Sequence, residues 1–306
     1  MSLAIVSSGK NIKYWVEAIN RQDPSIEVQA YPHISQPENV IGALLWKHPH
    51  GSLDNLSNLK WITSLGAGVD HVLTDPNLPD VSITRIVDNN LAMDISRTAV
   101  MGVIGFEKQM PMYIRQKRIG IWKQHVPQRL KKVGILGLGE MGSRIARDLF
   151  MFGYEVYGFS RNQKNVENVT TFWGNKVPTE FLKDIDVLIN VLPLTPETEN
   201  ILNHDIFRRM KKGSFLMNLG RGSHLVDNDL LESLEEEHLG GAFLDVFRIE
   251  PLPEEHPFWQ EEKIVVTPHV ASITDPESAV KLVLENYRRV VNGQPLLHVI
   301  EKNRGY

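Results

Sequence analysis

The chain has 306 residues, enough for two domains with separate cores, and its 42% hydrophobic and 23% charged content is ordinary for a globular protein. A formal net charge of −4 gives no basis for a nucleic-acid partner, and the lack of cysteine excludes disulfides, thiolate metal sites and cysteine nucleophiles. No apolar run approaches the ~18 residues of a membrane helix, and no signal-peptide pattern opens the chain, so the expectation is a cytoplasmic protein with no membrane partner.

Residues 3–7 form a short apolar run, and 11–20 follow with Ile12, Trp15, Val16 and Ile19 on one helical face. Strands are predicted at 26–30, 41–46 and 61–65, a spacing that indicates a parallel sheet. Next comes Gly66-Ala67-Gly68-Val69-Asp70, a loop at a strand's carboxyl end, where open α/β sheets take their ligands. Successive amides in such a loop suit an anion, and the same residues also read as a plain tight turn. A further strand is predicted at 82–87 and one long helix at 94–113. A basic, irregular segment occupies 115–132.

From Val133 the alternation restarts with V-G-I-L-G-L-G-E-M-G over 133–142. An apolar strand at 133–136 runs into Gly137, Leu138, Gly139, Glu140, Met141 and Gly142, and a helix follows over 140–152. This is the strand, G-x-G-x-x-G and helix of a dinucleotide site. The glycines serve the tight turn, the approach of a pyrophosphate and close helix packing, and the helix start favours a phosphate. Strands are predicted at 155–159, 187–192, 214–219, 242–246 and 264–267, making six with the first, and helices at 204–210 and 228–237. A last helix at 278–291 returns to the first domain. The expected architecture is α/β, two doubly wound parallel-sheet (Rossmann-like) domains with an active-site cleft between them. Residues 1–93 plus 275–306 form the substrate-binding domain and 94–274 the dinucleotide-binding domain.

An NAD site normally ends its second strand with a carboxylate on the ribose 2′-hydroxyl. Here that strand ends in Ser160 and Arg161, with Lys164 close behind, while Glu155 stands at the opposite end of the strand. A hydroxyl and a guanidinium suit a 2′-phosphate, so NADPH is predicted over NADH.

Three ionisable residues follow apolar runs in this second lobe: Arg221 after 214–219, Glu250 in a proline-rich loop, and His269 after the last strand. Singly each reads as surface or structure. Jointly, at the carboxyl edge of one sheet, they form a candidate catalytic set. No spacing of His, Asp and Glu argues for a metal. Trp46 with His48 and Pro49, and Trp259 with Phe258, are candidate walls of a small pocket or parts of the core.

Several stretches together resemble the D-isomer-specific 2-hydroxyacid dehydrogenases, and within them the glyoxylate/hydroxypyruvate reductase branch. They are LGAGVD at 65–70, ILGLGEMG at 135–142, FSR at 159–161, LPLTPET at 192–198, LGRGSHLVDNDLL at 219–231, LDVFRIEPLP at 244–253, TPHVASIT at 267–274 and the terminal Arg304-Gly305-Tyr306. Residues 90–97 depart from the usual family wording. The resemblance implies an Arg–Glu–His set on Arg221, Glu250 and His269. It places cofactor contacts on Leu192, Pro193, Thr198, Leu219, Gly220 and Asp245, the last at the nicotinamide carboxamide. It puts the substrate carboxylate on the loop that includes Ala67, Gly68 and Val69, and it implies a homodimer with residues 94–132 as the candidate interface.

The chemistry expected is reduction of a small 2-oxo acid, glyoxylate or hydroxypyruvate, by hydride transfer. His269 protonates the new alkoxide, Glu250 fixes its ring, and Arg221 holds the carboxylate and polarises the carbonyl. The rival readings are a nucleotide-sensing regulatory protein on the same fold and a dehydrogenase of bulkier 2-hydroxy acids.

Overall fold

Runs of Val, Ile and Leu with almost no interruption, punctuated by amphipathic helices, build two separate parallel sheets. The computed structural model describes residues 1–8 and 12–305. In chain order come β1 (Ser2–Ser7), α1 (Ile12–Gln22), β2 (Glu27–Ala30), β3 (Val40–Trp46), β4 (Trp61–Ser64), α2 (Asp70–Leu73), β5 (Ser82–Thr84), α3 (Asn89–Glu107) and α4 (Met110–Arg118). The second run holds β6 (Lys132–Leu136), α5 (Glu140–Met151), β7 (Glu155–Ser160), β8 (Val169–Trp173), α6 (Thr179–Leu182), β9 (Val187–Asn190), α7 (His204–Arg209), β10 (Ser214–Asn218), α8 (Asp227–Glu235), β11 (Leu239–Leu244), β12 (Ile264–Val266) and α9 (Pro276–Val291). The chain divides into two units, Met1–Leu91 with Thr274–Tyr306, and Ala92–Ile273. Among the described residues no helix is long and apolar enough to cross a membrane.

The first unit has the strand order β2-β1-β3-β4-β5, all parallel. Parallel sheets need both faces covered, and the strands supply two apolar faces by alternation. Leu3, Ile5, Leu44 and Trp61 pack on Trp15, Ala18 and Ile19 of α1 and on Ala279, Val280 and Val283 of α9. Ala4, Val6, Ala43, Leu45 and Ile62 face the other way, toward Val69 and Val72.

The second unit has the order β12-β11-β10-β9-β6-β7-β8, again all parallel. Successive strands run outward from β6 in one direction and from β9 in the other, so the order reverses between these two neighbours. That reversal is the switch point at which doubly wound sheets bind nucleotides. Val133, Ile135, Ile189 and Met217 are covered by Ile95, Ala99 and Val103 of α3 and by Ile145 and Leu149 of α5. The opposite face packs on Phe181, Phe207, Leu230 and Leu234.

Three expectations need correction. The single helix over 94–113 is two helices, because Gln109 adopts a left-handed conformation at φ 57° and Pro111 restarts the chain as a helix in the first turn of α4. The sheet has a seventh strand, β8, whose residues are mostly half-exposed because it pairs only with β7, so its apolar signal is weak. The strand expected at 82–87 spans only Ser82–Thr84. Asn11, the expected helix start, and Tyr306 of the terminal motif lie outside the described residues.

Asp186, 6% exposed, fastens the base of the second sheet. Its carboxylate accepts from the amides of Lys131 at 2.7 Å and Lys132 at 2.9 Å and from Lys211 Nζ at 2.5 Å. Burial pushes its pKa up, but these donors and the Lys211 charge outweigh burial and hold it below the usual carboxylate value. A depressed carboxyl stabilises the fold above its unfolded-state pKa and loses that contribution as pH falls through the folded-state value. Asp186→Ala is therefore expected to lower Tm by roughly 5–10 °C at pH 7. The gap to the wild type should close in strongly acidic buffer; differential scanning calorimetry across pH checks both.

Candidate active site

The residues singled out in the second unit all stand at carboxyl ends of its parallel strands. Between β6 and α5, Gly137 takes φ +103°, closed to most side chains, and makes the turn. A Cβ on Gly142 would lie 1.8 Å from the Gly137 carbonyl oxygen, so helix and strand meet there as closely as backbone allows. A Cβ on Gly139 would meet nothing within 4 Å. The middle glycine thus faces open space at the start of a 12-residue helix, which is the cradle a pyrophosphate needs, and the residues present fit a dinucleotide.

At the end of β7, Ser160 Oγ donates to the Asn162 carbonyl at 2.7 Å, and the Arg161 guanidinium lies 3.6 Å from the Glu197 carboxylate. Glu197 is held below its ordinary pKa by the Thr195 side chain first and by Arg161 more weakly. Arg161 is thus aimed across the sheet edge at the loop after β9. In that loop Thr198 Oγ1 donates to the Pro193 carbonyl at 2.7 Å and accepts from the Thr195 amide at 2.8 Å, which sets the path of the chain from Leu192 onward.

The strands β10, β11 and β12 are consecutive neighbours, and each delivers one part of the candidate chemistry. After β10 come Leu219, Gly220 and Arg221, whose Nη1 donates to the Gly220 carbonyl at 2.8 Å. After β11 comes Asp245, 1% exposed. Its carboxylate accepts from Thr267 Oγ1 at 2.7 Å and from the amides of Val270 and Ala271 at 2.9 Å each. The His269 amide donates to the Asp245 carbonyl at 2.7 Å. These bonds bind the turn after β12 to the end of β11 and hold His269 at φ +54°, a conformation a histidine keeps only when its surroundings impose it.

The His269 ring meets the Glu250 carboxylate, its Nδ1 lying 2.9 and 3.0 Å from the two oxygens. A carboxylate only accepts, so Nδ1 carries a proton and the ring is oriented by it. Glu250 is itself positioned by the Phe247 amide, which donates to Oε1 at 3.2 Å. His269 Nε2 has no protein partner among the described residues, and the side chain is 32% exposed. The arrangement is an imidazole with one nitrogen fixed and the other available for proton transfer. The structure joins two of the three candidate catalytic residues directly and sets Arg221 after β10, the neighbour of the strand before Glu250 and next but one to the strand before His269. Neighbouring strands are ~4.8 Å apart, so the ends of β10 and β12 are about 10 Å apart.

In the first unit Trp46 ends β3, half-buried, its ring centroid 4.7 Å from that of His71 and its edge over Gly66. Ser64 Oγ accepts from the Gly66 amide at 3.2 Å and donates to the Gly68 carbonyl at 2.7 Å, which shapes the loop. The amides of Ala67 and Gly68 have no partner among the described residues, and Val69 is buried. The pocket-wall reading of two other residues is corrected. His48 is buried and donates to Asp75 at 3.0 Å, and Phe258 belongs to the core. Trp259 is half-exposed with its Nε1 donating to the Pro253 carbonyl.

Sequence reasoning missed the polar network beneath the Arg221 turn. β9 and β10 both end an apolar run with asparagine, V-L-I-N and S-F-L-M-N, and Asn190 and Asn218 are both fully buried. A buried amide closing two adjacent strands was the available signal.

Residues 100–271 match the family described as D-isomer specific 2-hydroxyacid dehydrogenase, NAD binding domain. The glyoxylate/hydroxypyruvate reductase A of Photorhabdus laumondii subsp. laumondii is 38% identical over 300 residues, covering 95% of this chain and 96% of that protein. The structure is similar to a D-isomer specific 2-hydroxyacid dehydrogenase of Xanthobacter autotrophicus Py2 in complex with NADPH and MES, with TM-score 0.95, 34% identity and coverage of 100% and 99%. It is also similar to an NADPH-dependent glyoxylate/hydroxypyruvate reductase of Sinorhizobium meliloti in complex with NADP and sulfate, with TM-score 0.92, 34% identity and full coverage of both chains.

The two contrasting glycines give a direct test. Gly142→Ala forces a methyl into backbone and is expected to cost at least ~3 kcal/mol, whereas Gly139→Ala is expected to stay within roughly 1 kcal/mol of the wild type. Urea unfolding curves of the two variants check the difference.

Proposed function

The chain belongs to the D-isomer specific 2-hydroxyacid dehydrogenases, and from that premise we propose that it reduces glyoxylate and hydroxypyruvate to glycolate and D-glycerate with NADPH, His269 acting as the general acid. The observation that carries the reading is the contact of His269 Nδ1 with Glu250, which leaves Nε2 for the substrate oxygen. When bound, the reduced nicotinamide supplies the hydride.

The chain's own residues do the rest. Gly137, Leu138, Gly139, Glu140, Met141 and Gly142 take the pyrophosphate at the start of α5, and Ser160 and Arg161 take the 2′-phosphate. Leu192, Pro193, Thr198, Leu219, Gly220 and Asp245 line the remainder of the cofactor. Arg221 offers a planar fork of donors that orients the substrate carboxylate and lowers the energy of charge growing on the carbonyl oxygen. Trp46, Ala67, Gly68 and Val69 are proposed as further substrate contacts, because the two open amides of that loop suit a carboxylate. His269 delivers the proton from Nε2 to that oxygen. Glu250, by accepting from Nδ1, keeps the ring in the orientation for delivery and offsets the charge of the imidazolium that regains a proton from solvent.

A homodimer is proposed from the surface of α4 and residues 119–131. This segment folds back on α4 and on the end of α3, the His125 amide donating to Tyr113 Oη at 3.0 Å and the Gln128 amide to the Glu107 carbonyl at 3.0 Å. It nonetheless exposes Trp122 at 97% and Val126 at 85%. An ordered arm with bare apolar side chains suits a second copy of the same chain.

In assays followed by loss of NADPH absorbance, the wild type is expected to reduce glyoxylate with kcat/KM higher for NADPH than for NADH. His269→Ala is expected to lower kcat by ~10²–10⁴-fold with NADPH affinity nearly unchanged. Equal use of NADH, or normal turnover by the variant, removes the corresponding role. Light scattering should give twice the protomer mass, and Trp122→Glu should shift the protein to the monomer.

A further inference from the structure

His224 is fully buried and takes no part in the chemistry above. Its Nδ1 lies 3.1 Å from the Arg221 amide nitrogen and 2.8 Å from Asn190 Nδ2, both of which are donors. Nδ1 must therefore be the bare, accepting nitrogen, and the proton sits on Nε2, which donates to the Pro193 carbonyl at 3.2 Å. The orientation of Asn190 is fixed independently, because its Oδ1 accepts from the Leu192 amide at 3.3 Å. Asn218 completes the arrangement by donating from Nδ2 to the Arg221 carbonyl at 3.0 Å and accepting from Asn190 Nδ2 at 2.9 Å. The turn lies directly on the ring, since a Cβ on Gly220 would come 3.1 Å from His224 Nδ1.

One imidazole thus bridges two loops. Its Nδ1 edge holds the backbone of Arg221 at the end of β10, and its Nε2 edge holds the loop after β9, beside the switch point with β6. We propose that His224 is a positioning residue with a separable role at each nitrogen, Nδ1 setting the Arg221 turn for the 2-oxo acid and Nε2 setting the Pro193 loop for NADPH. This rests on the functional reading given above. It assigns the ring a neutral state with a single tautomer, because a proton on Nδ1 would face two donors.

Two substitutions divide the roles. In His224→Asn the amide oxygen falls near the position of Nδ1 and keeps the acceptor but loses the donor to Pro193. In His224→Gln the amide nitrogen reaches toward Pro193, and the acceptor for Arg221 is lost. His224→Asn is expected to raise the NADPH Kd, read by fluorescence titration, on the order of tenfold while leaving KM for glyoxylate within about twofold. His224→Gln is expected to do the reverse. Nitrogen-15 NMR of the wild type should show Nε2 protonated and Nδ1 bare at pH 7. A role in packing alone would shift both constants together in both variants, or only Tm, and either result overturns the proposal, as does a proton on Nδ1. If the wild type reduces no 2-oxo acid the functional reading fails first, and the NADPH titration and the NMR tautomer still decide whether the ring holds the Pro193 loop.

Discussion

A buried carboxylate decides where His269 stands. Asp245 has lost nearly all contact with water and recovers its solvation from Thr267, Val270 and Ala271, all in the turn after the last strand of the second sheet. A buried polar group in that setting is tolerable only while its donors stay in place, so the turn and the end of β11 behave as one piece. The backbone of His269 is fixed in the left-handed region by this clamp, and its side chain then meets Glu250. Backbone strain at that one residue is offset by hydrogen bonds around it, an arrangement found where a catalytic group must not wander.

The same economy runs along the rest of the edge. Seven parallel strands point their carboxyl ends one way, and every polar residue proposed for cofactor or catalysis in the second unit follows one of them. Asn190 and Asn218 sit one layer below, converting strand ends into fixed turns. Arg161 and Glu197 face each other from the ends of β7 and of the loop after β9.

Much of this was legible from residues alone. The glycines at 137, 139 and 142 between an apolar strand and an amphipathic helix announce their own geometry, because each spacing has one steric meaning. Arg221, Glu250 and His269 were recognisable from their place after strand-like runs, although no local pattern says that Glu250 and His269 touch across 19 residues of chain. The break at Gln109 was missed because the apolar spacing on both sides of it is helical. Its left-handed conformation is a property of the turn rather than of glutamine. β8 escaped because an edge strand needs to bury only part of itself, and V-T-T-F-W carries little alternation. His48 and Phe258 looked like pocket walls because composition cannot distinguish an aromatic ring beside a ligand from one inside a core.

The proposed reaction turns on proton delivery from His269 Nε2 while Glu250 holds Nδ1. A crystal structure of the protein with NADP and oxalate, which mimics a 2-oxo acid and cannot turn over, decides whether it does. An oxalate oxygen is expected within hydrogen-bond distance of His269 Nε2, with the Nδ1 contact to Glu250 intact and Arg221 on the oxalate carboxylate. Oxalate bound with Nε2 turned away from it, or with the Glu250 contact broken, would contradict it.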